Sequence, residues 1–116
     1  LEGTKFRDQL DEDRVKSEQS AITFEREVDR VYHDTSSECI IEDPSWGRRV
    51  RIAKSGSRST VVWNPWIAKA ARMSDFGDDE YRDMVCVETT NADDDTVTIA
   101  PGEIRTLTAS LSTVDV

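Results

Sequence analysis

Hydrophobic positions along this chain fall in short bursts cut off by polar turns. Residues 38–42 hold Cys39-Ile40-Ile41 and stop at Asp43-Pro44, which predicts a short strand. Residues 49–53 alternate, with Val50 and Ile52 on one face and Arg49 and Arg51 on the other. Residues 21–24, 28–33 and 60–63 read as further strands, the last ended by Asn64-Pro65. Met84-Val85-Cys86-Val87 opens a strong strand running to Thr89. Residues 96–100 and 104–113 flank Pro101-Gly102 and predict a hairpin, with Leu107, Ala109 and Leu111 facing inward. The polar residues 1–19 read as loop, with a weak strand around Lys5 to Arg7. Residues 66–73, alanine-rich and preceded by Pro65, form the one helix-like stretch, and the acidic residues 74–81 a loop or single turn. Strands with turn signals about every ten residues predict an all-β, antiparallel sandwich or barrel. No repeat, coiled coil, low-complexity tract or linker divides the chain, so its 116 residues predict one domain or part of one.

Charge narrows the partners. The net charge is -9, from 24 acidic and 15 basic residues. That balance repels a duplex or an anionic lipid surface, so neither nucleic acid nor membrane is an expected partner. No apolar run approaches the length of a membrane span, and the first residues have no signal-peptide core. Cys39 and Cys86 lie in apolar runs without metal-ligand spacing and read as buried small hydrophobes of a reduced, cytoplasmic protein. The 36% of hydrophobic residues is low for a self-sufficient small core. The chain begins at Leu1 rather than at methionine. Together these features predict processing or a missing upstream segment.

The chemistry on offer is carboxylates and tryptophans on β-structure, since neither a Gly-rich phosphate loop nor a Gly-x-Ser-x-Gly elbow occurs. This pairing suits sugars: aromatic faces pack on C–H groups while carboxylates bind hydroxyls. Glu88 closes an apolar strand, where partial desolvation would suit a general base; the alternative is a strand-end carboxylate in solvent. Asp29 is placed to accept hydrogen bonds from sugar hydroxyls, or else pairs with Arg30 on an edge strand. Trp63 and Trp66 flank the Asn64-Pro65 turn, with Trp63 read as a core plug. His33 reads as an exposed polar side chain, and Glu25-Arg26-Glu27 and Asp93-Asp94-Asp95 as solvated runs.

Taken in order, Asp29-Arg30-Val31-Tyr32, Val62-Trp63-Asn64-Pro65-Trp66, Lys69-Ala70-Ala71-Arg72-Met73, Asp75-Phe76-Gly77-Asp78-Asp79-Glu80-Tyr81, Met84-Val85-Cys86-Val87-Glu88 and Ala100-Pro101-Gly102-Glu103 resemble the glucose-6-phosphate 1-epimerases. These hexose-6-phosphate mutarotases are relatives of the aldose 1-epimerases, and the resemblance runs from about Leu1 to Val114. It implies a galactose mutarotase-like β-sandwich, of which residues 1–116 are the C-terminal portion. It implies interconversion of α and β anomers of an aldohexose 6-phosphate, with no cofactor or metal. Glu88 matches the family's catalytic base and Asp29 its hydroxyl-binding aspartate, so one sugar must reach both. The family's catalytic histidine and phosphate-binding arginines lie in an N-terminal half not in this chain, and His33 does not match that histidine. The missing half is therefore an expected partner, and the chain alone is expected to be inactive. The alternatives are a non-catalytic carbohydrate-binding module and a structural β-domain.

Overall fold

The computed structural model describes residues 1–114, and the last two positions of the 1–116 span lie outside it. The described residues form eight strands: β1 (Lys5–Asp8), β2 (Arg14–Ser17), β3 (Val28–Tyr32), β4 (Cys39–Asp43), β5 (Arg48–Ser55), β6 (Ser59–Asn64), β7 (Cys86–Thr90) and β8 (Thr108–Val114). One short helix, α1 (Trp66–Ala70), follows β6. The strands make two sheets, one ordered β2-β1-β3-β6-β7 and one ordered β4-β5-β8, and every pairing is antiparallel. The mostly antiparallel β architecture expected from the strand spacing is the one observed.

Residues opposite one another in an antiparallel pair share a face. In the large sheet, Phe6, Tyr32, Thr60 and Thr89 lie in one such row, and Arg30, Val62 and Val87 in the next. This face holds the core of Phe6, Val28, Tyr32 and Val62, with Leu1, Ile22, Phe24 and Val85 packed against it. Arg30 is buried among them. Its guanidinium lies 4.4 Å from the centre of the Phe6 ring and donates to both Glu18 oxygens, at 2.9 and 3.0 Å. Removing one partner of a fully buried pair costs about 3–5 kcal/mol. The Glu18 side chain is 41% exposed, so Glu18→Ala is expected to cost only about 1–2 kcal/mol after solvent screening, measured as a shift in the urea midpoint. An unchanged midpoint would show that water already satisfies Arg30.

Several sequence expectations need correcting. Residues 21–24 form no strand; Ile22 and Phe24 alternate because they cap the core from an irregular segment. Residues 14–17 form a strand that hydrophobicity does not announce, because its one apolar residue, Val15, is 65% exposed. The β1–β2 connection takes Glu12 and Asp13 through left-handed conformations, at φ 51° and 57°. The Pro101-Gly102 turn forms, with Gly102 at φ 84°, but its arms do not pair as a hairpin. Residues 96–107 are irregular, and β8 pairs with β5 instead. Leu107, Ala109 and Leu111, expected to face inward, are exposed in the described chain. Helix α1 ends at Ala70, short of Met73. Cys39 and Cys86 are free and only half-buried, and burial raises both thiol pKa values. No helix among the described residues is long and apolar enough to cross a membrane.

Candidate functional site

The second face of the large sheet carries the candidate residues. Register pairs Asp29 with Trp63 and Trp63 with Cys86, giving one row across β3, β6 and β7. The neighbouring row is Arg7, Val31, Val61 and Glu88. Asp29 and Glu88 therefore share a face, two strands and two residues apart. Strand spacing and rise put their Cα positions about 12 Å apart. Trp63 lies between them, half-buried on this open face, so the reading of Trp63 as a core plug is corrected. Glu88 is exposed, and the desolvation expected from the apolar residues before it is not supplied by the described residues.

Asp29 is held more closely. Gln9 Nε2 donates to Asp29 Oδ1 at 2.5 Å, and the Gln9 backbone N–H donates to the Asp29 carbonyl at 3.0 Å. Burial pushes the Asp29 carboxyl above its usual range; the Gln9 hydrogen bond and the charges of Lys69 and Arg7 oppose it, while Glu27 adds to it. The expected Asp29–Arg30 pair does not form, because adjacent strand residues point to opposite faces and Arg30 turns into the core. Lys69, delivered by α1, places its ammonium 5.8 Å from the Trp63 ring centre and 3.4 Å from Glu27.

The segment after β7 folds back across one end of this face. The Ala92 N–H donates to Ser59 Oγ at 2.9 Å, and Asp93 takes two hydrogen bonds from Arg7, at 2.8 and 3.0 Å. Asp93 also lies 3.7 Å from His33 Nε2. The Asp93-Asp94-Asp95 run, expected to be solvated, thus partly serves to tie β7 to β1. Of the sequence candidates, Asp29, Trp63 and Glu88 come together, and His33 lies at the end of their face. Trp66 instead packs edge-on against Tyr81, at 5.0 Å. Gln9, Arg7 and Lys69 were not given a role from the sequence, since only strand register places Arg7 here and only side-chain contacts place Gln9 and Lys69. A cavity of about 600 Å³, lined by Gly56, Val97, Ile99, Ile104 and Leu107 among others, contains neither carboxylate.

A family profile described as aldose 1-epimerase matches residues 1–112. Three relatives carry provisional names as glucose-6-phosphate 1-epimerases. One from Cenchrus ciliaris is 41% identical over 107 residues, covering 89% of this chain and 32% of the relative. One from Escherichia coli K12 is 32% identical over 91 residues, covering 78% of this chain and 31% of the relative. One from Salmonella typhimurium is 36% identical over 70 residues, covering 60% and 24%. The chain thus spans about a third or less of the length of these curated relatives.

Proposed function

The chain belongs to the aldose 1-epimerase family, and from that premise we propose that it is the base-bearing portion of a hexose-6-phosphate mutarotase. The observation that carries this reading is the shared face of Asp29 and Glu88, with Trp63 between them. A pyranose lying over Trp63 stacks its C–H groups on the indole, gives a hydroxyl hydrogen bond to Asp29 and turns its anomeric hydroxyl to Glu88. Glu88 takes the proton of that hydroxyl as the bond between the anomeric carbon and the ring oxygen breaks. The electron pair of the broken bond goes to the ring oxygen, which takes a proton from an acid. The open aldehyde rotates, and reclosure with the roles reversed gives either anomer. The acid and the phosphate-binding groups come from the rest of the domain. The relatives' names support a sugar phosphate as substrate.

The proposed remainder also has a surface to cover. Ile104 is 89% exposed and lines one cavity with Ile99 and Leu107, which are also exposed, and Leu111 on β8 is 68% exposed. Exposed apolar surface on this scale favours association. The 116-residue chain alone is therefore expected to bind a hydrophobic dye such as ANS strongly, while the complete domain binds little. Equal dye binding by both would remove the remainder as the cover of this surface.

The activity is tested by polarimetry of freshly dissolved α-glucose 6-phosphate. The complete domain is expected to accelerate mutarotation and the isolated chain to leave it at the spontaneous rate. A complete domain without effect would contradict the proposal and favour a sugar-binding module. Acceleration by the isolated chain would show that its acid lies within it, with His33 the residue to examine.

A further inference from the structure

Asp29 does not stand free on its face. Gln9, just beyond the end of β1, is fastened to it twice, through backbone and through side chain. We propose that Gln9 is a positioning residue for substrate binding, bonding one carboxylate oxygen of Asp29 and orienting the other toward a sugar hydroxyl. This inference rests on the function proposed above and gives its hydroxyl-binding end a defined geometry.

The groups facing Asp29 explain why a donor is needed there. Lys69 from α1 and Arg7 from β1 favour its ionised form, and Glu27, just before β3, disfavours it. Neither cation is committed to Asp29: Lys69 bridges to Glu27, and Arg7 gives its hydrogen bonds to Asp93 and Asp13. The Gln9 amide is the one side-chain donor bonded to Asp29 among the described residues. A hydrogen bond from a neutral amide to a carboxylate is charge-assisted and directional, so it holds the rotamer and favours the ionised form against the effect of burial. With Gln9 on Oδ1, one of its lone pairs is engaged, and Oδ2, which bonds no described side chain, is the oxygen most open to a sugar hydroxyl. Gln9 itself touches no reacting atom.

Three variants of the complete domain test this by mutarotation kinetics across pH. Gln9→Leu has nearly the same size and no donor. It is expected to raise KM about three- to tenfold with kcat within about twofold, the scale of one net hydrogen bond. Removing the donor raises the Asp29 pKa further. Binding that needs the carboxylate is then lost at a higher pH on acidification, and the acid limb of kcat/KM moves up in pH. Gln9→Lys restores a donor and is expected to return KM to near the unsubstituted value, with the acid limb at or below its original position. Gln9→Glu sets a second carboxylate against Asp29 and is expected to be the weakest binder at neutral pH. Unchanged KM and acid limb in Gln9→Leu, or equal losses in Gln9→Leu and Gln9→Lys, would overturn the proposal. The Asp29 carboxyl is also titrated by carbon NMR in the unsubstituted and Gln9→Leu proteins. If the unsubstituted domain proves inactive, the mutarotase reading fails, and the titration still decides on Gln9: an unmoved Asp29 pKa refutes the positioning role.

Discussion

Glu88→Gln in the complete domain is expected to lower kcat about 10²–10⁴-fold with little change in KM, the scale of a lost general base. Ring opening of a hemiacetal needs a base on the anomeric O–H as the ring bond breaks. Glutamine keeps the length and hydrogen-bonding reach of glutamate but cannot take the proton. The fold is expected to be indifferent, because Glu88 is exposed and no side-chain hydrogen bond or ion pair ties it to another described residue. Substitutions at such positions usually fall within about 0.5 kcal/mol. Glu80→Gln and Glu103→Gln are the controls. Glu80 accepts from the Gly77 N–H and Glu103 from the Ala100 N–H, both in exposed turns, and each is expected to leave kcat unchanged. Stopped-flow polarimetry checks all three. A Glu88→Gln domain that keeps most of its kcat would show that another group is the base.

Asn64→Leu is expected to produce the largest loss of stability, about 3–4 kcal/mol, because each buried backbone group left unpaired costs about 1–3 kcal/mol and water reaches some of them. Asn64 is 3% exposed at the end of β6. Its Nδ2 donates to the carbonyls of Tyr81 and Met84, at 2.8 and 3.0 Å, and its Oδ1 accepts from the Trp66 N–H at 2.8 Å. One amide thus pins both ends of the excursion from Pro65 to Met84. It also helps hold Trp66 at φ 56°, a conformation that a bulky residue adopts only when its surroundings impose it. Leucine fills the same space and satisfies none of the three groups. Asn64→Asp keeps the acceptor but faces two carbonyls with a carboxylate, and is expected to lose at least as much at neutral pH. The excursion carries Lys69 to Trp63, so both variants are also expected to weaken sugar binding. Thermal and urea unfolding of the complete domain measure the loss; less than about 1 kcal/mol would show that other contacts hold residues 65–84.

How much of this was legible beforehand follows from where burial and periodicity coincide. Strands β3, β5, β6 and β7 were readable within a residue or two because apolar side chains recur along them, as with Val50 and Ile52 opposite Ile41 and Cys39. Strand β2 was not, since the β1 ladder holds it while its side chains stay polar or exposed. Residues 96–111 misled in the opposite sense. Alternation around Pro101-Gly102 resembles a hairpin, yet Ile99, Ile104 and Leu111 stand exposed and β8 joins the second sheet. At the site, residue type pointed to Asp29 and Glu88, but whether they share a face depends on the register of three strands. Gln9 gave no sequence signal: a glutamine in a polar stretch becomes informative only once the β1–β3 pairing sets it beside Asp29.

The central claim is that one ligand lies across β3, β6 and β7, touching Asp29 and Glu88 together. The direct measurement is a crystal structure of the Glu88→Gln complete domain soaked with glucose 6-phosphate, since this variant is expected to bind the sugar and turn it over slowly. The account predicts the pyranose over Trp63, a hydroxyl on the Asp29 oxygen that Gln9 leaves free, and the anomeric oxygen within hydrogen-bond distance of the side chain at position 88. A sugar seated in the cavity lined by Ile99 and Ile104, or one touching only one of the two acidic positions, would contradict it.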